Sequence, residues 1–238
     1  MVRQLPPTTA REIIYPNSDG QPMSDNTKQF RWIVAIKENL ELLFASVANV
    51  FIAGDLLWYP VEGDNQLRQT PDVMVVFGRP KGDRGSYKQW EEGNIAPQVV
   101  FEILSPGNRL KAMAHKLRFY DRYGVEEYYV YDPEDGELIG WLRREEEDLD
   151  VIPEMNNWVS PRLGIRFEIL PNDLIIYRPD GERFLTFVEL GQLREQERQR
   201  VDEALFQLES ERQRADDAIA QLEALKAKLR ERGIDLEN

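Results

Sequence analysis

The residues able to do chemistry in this chain are few in kind. No cysteine is present, and His115 is the only histidine. Disulfide frameworks, cysteine-based zinc sites, iron–sulfur clusters, thiol nucleophiles and multi-histidine metal sites are therefore excluded. Any Ser-His-Asp triad has a single histidine to draw on. Catalysis must rest on carboxylates, lysines, tyrosines and hydroxyls. Two carboxylates stand out because they sit in apolar runs. Asp72 opens Pro71-Asp72-Val73-Met74-Val75-Val76, and Glu102 lies between Phe101 and Ile103. A carboxylate in such a run is costly unless it is paired, hydrogen-bonded or bound to a cation. Asp72 also has a plain reading, as the residue that opens a strand after Pro71. A buried glutamate has no such simple explanation.

Carboxylate oxygens suit a hard divalent cation, Mg2+ or Mn2+, which binds through one or two acids and keeps several waters. Asp72 and Glu102 are the candidate ligands, and the backbone carbonyl of Ile103 can supply another. Such a cation lowers the pKa of a water and neutralises charge building on a phosphodiester. Lys116 is the candidate ammonium, orienting that water or stabilising the phosphorane oxygens. Helical spacing puts Ala112, Lys116 and Tyr120 on one stripe, with His115 about 100° away from Lys116. The alternatives are ordinary. Lys111 and Lys116 suit a helix surface, His115 an exposed or structural place, and Tyr120 the core. Asp55, after Gly54, fits either a turn or a place beside the site.

These groups need elements to position them. Residues 1–24 hold Pro6, Pro7, Pro16 and Pro22 and read as an extended arm. Ser24-Asp25-Asn26-Thr27 supplies N-cap types before Phe30, Ile33, Val34, Ile36, Leu40, Leu43 and Phe44, predicting an amphipathic helix over 27–45. Apolar runs at 50–59, 71–77 and 97–104 predict strands buried on both faces. Residues 78–93 form a polar loop carrying Arg84, Tyr87 and Trp90, which either faces substrate or folds onto the domain. The pattern over 108–123, closed by Gly124, predicts a helix, and 127–132 a strand. Strand, helix and strand in this order predict a parallel pair within 98–132. Short strands and turns follow over 137–188.

From about residue 189 Glu, Gln, Arg, Ala and Leu dominate, with no proline up to Arg232. Val201, Leu205, Leu208, Ala215, Ile219, Leu222, Leu225 and Leu229 follow mostly four-and-three spacing, with Arg212 at an expected apolar place. This predicts a long helix with coiled-coil character. The expected organisation is an arm (1–24), an α/β domain (25–189) and a helical tail (190–238).

The chain carries 30 Lys+Arg against 43 Asp+Glu, a net charge of −13. Nine bases and twelve acids lie from residue 191 on, leaving −10 on the residues before it. Coating nucleic acid by bulk charge is excluded. No apolar run reaches the ~20 residues that span a bilayer. A cytoplasmic protein is the expectation.

Taken together, Pro71-Asp72-Val73, Glu102-Ile103-Leu104-Ser105-Pro106, Lys116-x-x-x-Tyr120, Gly124-Val125-Glu126-Glu127-Tyr128 and Asp132-Pro133 resemble the Uma-two family of endonucleases, within the PD-(D/E)XK, restriction-endonuclease-like superfamily. Tyr15-Pro16-Asn17-Ser18-Asp19-Gly20 and Ser160-Pro161-x-Leu163-Gly164 extend the resemblance over roughly residues 13–190. It implies a mixed central sheet flanked by helices, with Asp72 and Glu102 as the metal-binding acids. The superfamily lysine usually lies two residues after the second acid, where Leu104 stands here, and Lys116 on the next helix is the matching position. Many relatives carry an aspartate at the place of Ala112. A first-helix acid often joins such sites, and Asp25 or Glu38 could serve. The function implied is metal-dependent hydrolysis of phosphodiester bonds in DNA. The alternatives are a catalytically silent adaptor that self-associates through the tail, and a hydrolase for another phosphorylated substrate.

Overall fold

The computed structural model describes residues 13–18, 20, 24, 26–105, 110–144 and 147–231. Helix α1 (Thr27–Leu43) starts where the Asn26 side chain accepts a hydrogen bond from the Gln29 amide at 2.8 Å. Its buried residues, Gln29, Ile33, Ile36, Asn39 and Leu40, recur at three- and four-residue steps. Phe30, expected on that stripe, is exposed. Gln29 takes the inner place one residue earlier.

The strands are β1 (Val50–Gly54), β2 (Trp58–Tyr59), β3 (Val73–Phe77), β4 (Tyr87–Lys88), β5 (Val99–Ile103), β6 (Glu127–Asp132), β7 (Glu137–Arg143), β8 (Leu149–Val151), β9 (Arg166–Leu170) and β10 (Asp173–Tyr177). Helix α2 (Leu110–Arg122) joins β5 to β6. Six strands form the central sheet in the order β1-β3-β5-β6-β7-β8. Within this sheet, among the described residues, only β5 and β6 are parallel, the pair expected of a strand–helix–strand unit, so the sheet is mixed.

The run over 50–59 is not one strand. Asp55 adopts a left-handed backbone (φ 50°) that turns the chain after Gly54, and Trp58–Tyr59 pairs with β4 instead. Helix α2 ends as the sequence pattern demands. Gly124 has φ 88°, and the Val125 amide donates to the Tyr120 carbonyl at 3.0 Å.

Side-chain alternation divides the core into two layers. Val73, Val75, Val99, Phe101 and Ile103 face α1 and the β9–β10 hairpin. Met74, Val76, Val100, Tyr128 and Val130 face α2 through Met113, Leu117 and Tyr120. The central mixed sheet flanked by helices is thus the predicted architecture.

Residues 187–238 form a second unit. Within it α3 (Phe187–Glu231) runs 45 residues, about 67 Å, with no buried side chain. Among the described residues no helix is long and apolar enough to cross a membrane.

Candidate active site

The two acids meet through strand register. In the antiparallel β3–β5 pair, Val73 lies opposite Phe101. One step further, Asp72 comes opposite Glu102. Val73 and Phe101 face α1, so alternation turns Asp72 and Glu102 toward α2. Directly opposed antiparallel residues bring their Cβ atoms to about 5 Å. Two residues 30 positions apart therefore share one small region, and both are buried, Asp72 at 8% and Glu102 at 1% exposure.

Helix α2 lays its Lys116–Tyr120 stripe over this pair. The Lys116 ammonium is 2.6 Å from Glu102 Oε2, and the Tyr120 hydroxyl donates to Glu102 Oε1 at 2.5 Å. Tyr120 is fully buried, whereas the Lys116 side chain keeps 22% of its exposure, its stem packed and its head reaching the carboxylate. The Ile103 amide donates to Asp72 Oδ2 at 2.6 Å. Asp72, Glu102 and Lys116 thus come together, with the Ile103 backbone between the acids.

The electrostatics follow from burial. Asp72 is held well above the usual carboxylate range, first by loss of water and then by the Glu102 charge; Lys116 and the Ile103 amide pull the other way. Burial is also the largest influence on Lys116 and pushes it down. Glu102 and Asp72 together outweigh it, so the group stays an ammonium above its ordinary value. The Tyr120 phenol is raised by burial and then by Glu102, so it remains a donor.

Gln29 belongs to the site and was not foreseen. Its Nε2 donates to the Ile103 carbonyl at 2.8 Å, fixing the orientation of the carbonyl expected as a ligand. The available signal was a polar residue on the inner stripe of α1. Glu38 is exposed on that helix and accepts from Lys37 at 2.9 Å, so it does not reach the pair. Asp25 lies outside the described residues, as do residues 106–109 after β5. Asp55 comes close: its amide donates to the Asp72 carbonyl at 3.2 Å, and its charge bears on both Asp72 and Lys116. Lys111, Ala112 and His115 are exposed.

The loop over 78–93 folds onto the domain. Arg84 lies over the Phe51 ring at 3.9 Å and pairs with Glu92 at 2.6 Å. Tyr87 is buried and donates to the Ile95 carbonyl, and Trp90 packs on Tyr15 with ring centroids 5.0 Å apart.

The oxygen donors present suit a hard cation. Two opposed acids and an oriented carbonyl present oxygen atoms to one small region, where burial first and the Glu102 charge second hold Asp72 raised. Among the described residues no cluster of three or more His, Cys, Asp or Glu that could hold a metal ion is formed.

No curated protein matches the chain. One similar solved structure is titled "a putative nuclease belonging to DUF820 from Anabaena variabilis ATCC 29413", with a TM-score of 0.42 and 16% identity over 61% of this chain and 79% of that chain. Residues 12–172 match the family Uma2, described as "Putative restriction endonuclease"; this is more than half of the sequence, and the chain belongs to that family.

Proposed function

We propose that the protein is a divalent-metal-dependent endonuclease that hydrolyses phosphodiester bonds in DNA. The observation that carries this reading is the register that sets Asp72 against Glu102, with Lys116 on the second acid. Asp72, Glu102 and the Ile103 carbonyl would hold Mg2+ or Mn2+, which when bound supplies Lewis-acid stabilisation of phosphoryl charge.

The chain's own groups set the rest. Glu102 keeps Lys116 as an ammonium, so Lys116 acts as a donor and not as a base. It orients the attacking water or steadies the phosphorane oxygens. The oxygen of the attacking water bonds to phosphorus as the bridging P–O bond breaks; the water releases a proton to solvent and the departing oxygen takes one up from solvent, so the protons balance. Tyr120 fixes the Glu102 carboxylate, and Gln29 fixes the Ile103 carbonyl. We further propose that α3, whose apolar side chains are all exposed or half-buried, pairs with a second copy of the chain.

The test uses full-length protein with plasmid DNA, single-stranded DNA and RNA, in Mg2+, Mn2+ or chelator. DNA cleavage that needs metal and is lost in Glu102→Ala and Lys116→Ala, with circular dichroism unchanged, is the expected result. Metal-independent cleavage, or none on any substrate, overturns the nuclease reading. Self-association without cleavage would instead favour the silent adaptor.

A further inference from the structure

The long helix carries its own register information. A seam of alternating four- and three-residue steps runs through Arg198, Val201, Leu205, Leu208, Arg212, Ala215, Ile219, Leu222, Lys226 and Leu229. All of these lie in α3, and none of its side chains is buried. Val201, Leu205, Leu208, Ile219 and Leu222 are each more than half exposed, an apolar face interrupted at Arg212 that needs a cover.

We infer that this face pairs with the same face of a second copy, and that the two helices run antiparallel. The inference rests on the self-association proposed above and specifies its geometry. In a parallel, in-register pair each seam residue meets its own counterpart. Arg198, Arg212 and Lys226 would then each face an identical cation, giving three like-charged layers. Alanine 215 would face alanine, leaving the narrowest layer next to the arginine pair.

The antiparallel arrangement removes these conflicts. With the two-fold axis crossing the helices between Gln213 and Arg214, Leu205 packs on Leu222 and Leu208 on Ile219. Arg212 falls opposite Ala215, Lys226 opposite Val201, and Arg198 opposite Leu229. Every cation then meets an apolar residue. The small Ala215 gives the guanidinium room to lift toward Glu209 and Asp216, the acids beside the seam. The largest apolar residues meet each other, and the small Ala215 faces the long Arg212.

Because the natural chain has no cysteine, disulfide trapping reports orientation without background. Leu205→Cys and Leu222→Cys full-length proteins are oxidised singly and after mixing and exchange, then resolved on non-reducing gels. The expected result is a covalent dimer from the mixture and none from either variant alone. The two copies of residue 205 lie about 25 Å apart along an antiparallel pair. A cross-linked dimer of Leu205→Cys alone overturns the antiparallel assignment while leaving self-association standing. If sedimentation of the natural chain gives only monomers, the pairing itself is overturned. Should the seam substitutions loosen the helix, a spin label at the outward-facing Glu203→Cys gives the same answer. A separation beyond about 30 Å is expected for antiparallel helices, and a much shorter one overturns them.

Discussion

At the scale of single residues, the site trades stability for function. Asp72 is an acid whose folded-state pKa is raised above its ordinary value, chiefly by burial and then by Glu102. Below the ordinary carboxylate range both states are protonated. As pH rises through the window between the ordinary and the raised value, the folded state keeps a proton that the unfolded state has lost, so stability falls. Asp72→Asn cannot ionise, yet its side-chain oxygen can still accept from the Ile103 amide. In chelator, the variant is expected to melt above the natural chain, by a margin that widens from pH 5 to pH 8. Added Mg2+ narrows the margin by stabilising only the natural chain. Thermal melts at several pH values check this, and a margin that shrinks with pH would reject the account. A second residue-scale prediction concerns Tyr128, whose buried hydroxyl has no hydrogen-bond partner among the described residues. Removing an unsatisfied buried group recovers about 1 kcal/mol. Tyr128→Phe should therefore raise Tm by about 2–4 °C. Tyr120→Phe removes the donor to Glu102 and should lower it. If both substitutions shift Tm downward equally, the distinction between the two hydroxyls is wrong.

At the scale of elements, what was legible in the sequence was what local pattern decides. The 3.6-residue spacing placed α1 and α2, apolar runs with Val and Ile placed β1, β3 and β5, and a tyrosine-rich run placed β6, because burial on both faces leaves few alternatives. Asp72 and Glu102 were noticeable for the same reason, as charges inside such runs. What local pattern does not hold is pairing. That Asp72 faces Glu102 depends on the β3–β5 register, fixed by contacts between residues far apart in sequence. Gln29 is not legible in the pattern because the neighbouring Phe30 is more apolar, yet the geometry of α1 turns Phe30 outward. Glu127 shows how neighbouring acids diverge by register. It is fully buried and accepts from the Tyr129 hydroxyl at 2.9 Å, the Arg162 amide at 2.6 Å and the Ser160 hydroxyl, tying β6 to the turn before β9. Burial nevertheless raises it, against the pull of those donors. Glu126, one residue earlier, forms a largely exposed pair with Arg162. Glu127→Ala orphans three buried or half-buried donors and should cost about 3 kcal/mol. Glu126→Ala should cost less than about 1 kcal/mol. Urea unfolding of both variants measures the difference, and equal costs would refute the structural role given to Glu127.

At the scale of the whole molecule, charge constrains how a nucleic acid could be engaged. The chain is −13 overall, and most of that lies before residue 191. A protein that neutralises many phosphates with lysine and arginine binds with a steep salt dependence. Here several cations are already spent internally: Arg79 and Arg84 on Glu92, Arg143 on Asp121, and Arg162 on Glu126. Without a metal Asp72 tends to keep its proton and the Glu102 charge is already matched by Lys116, so a phosphodiester approaching the pair finds no net attraction there. The proposed cation would add positive charge there and link protein to phosphate. DNA affinity should therefore depend on divalent ions more steeply than on the number of basic residues. Fluorescence anisotropy with a labelled duplex, in Ca2+ and in chelator at fixed ionic strength, is expected to show at least tenfold weaker binding in chelator. In the double variant Asp72→Asn, Glu102→Gln the two conditions should agree, because the two acids proposed to hold the cation are then gone. Equal affinity of the natural chain with and without divalent ions would mean that DNA is held by a surface elsewhere on the molecule.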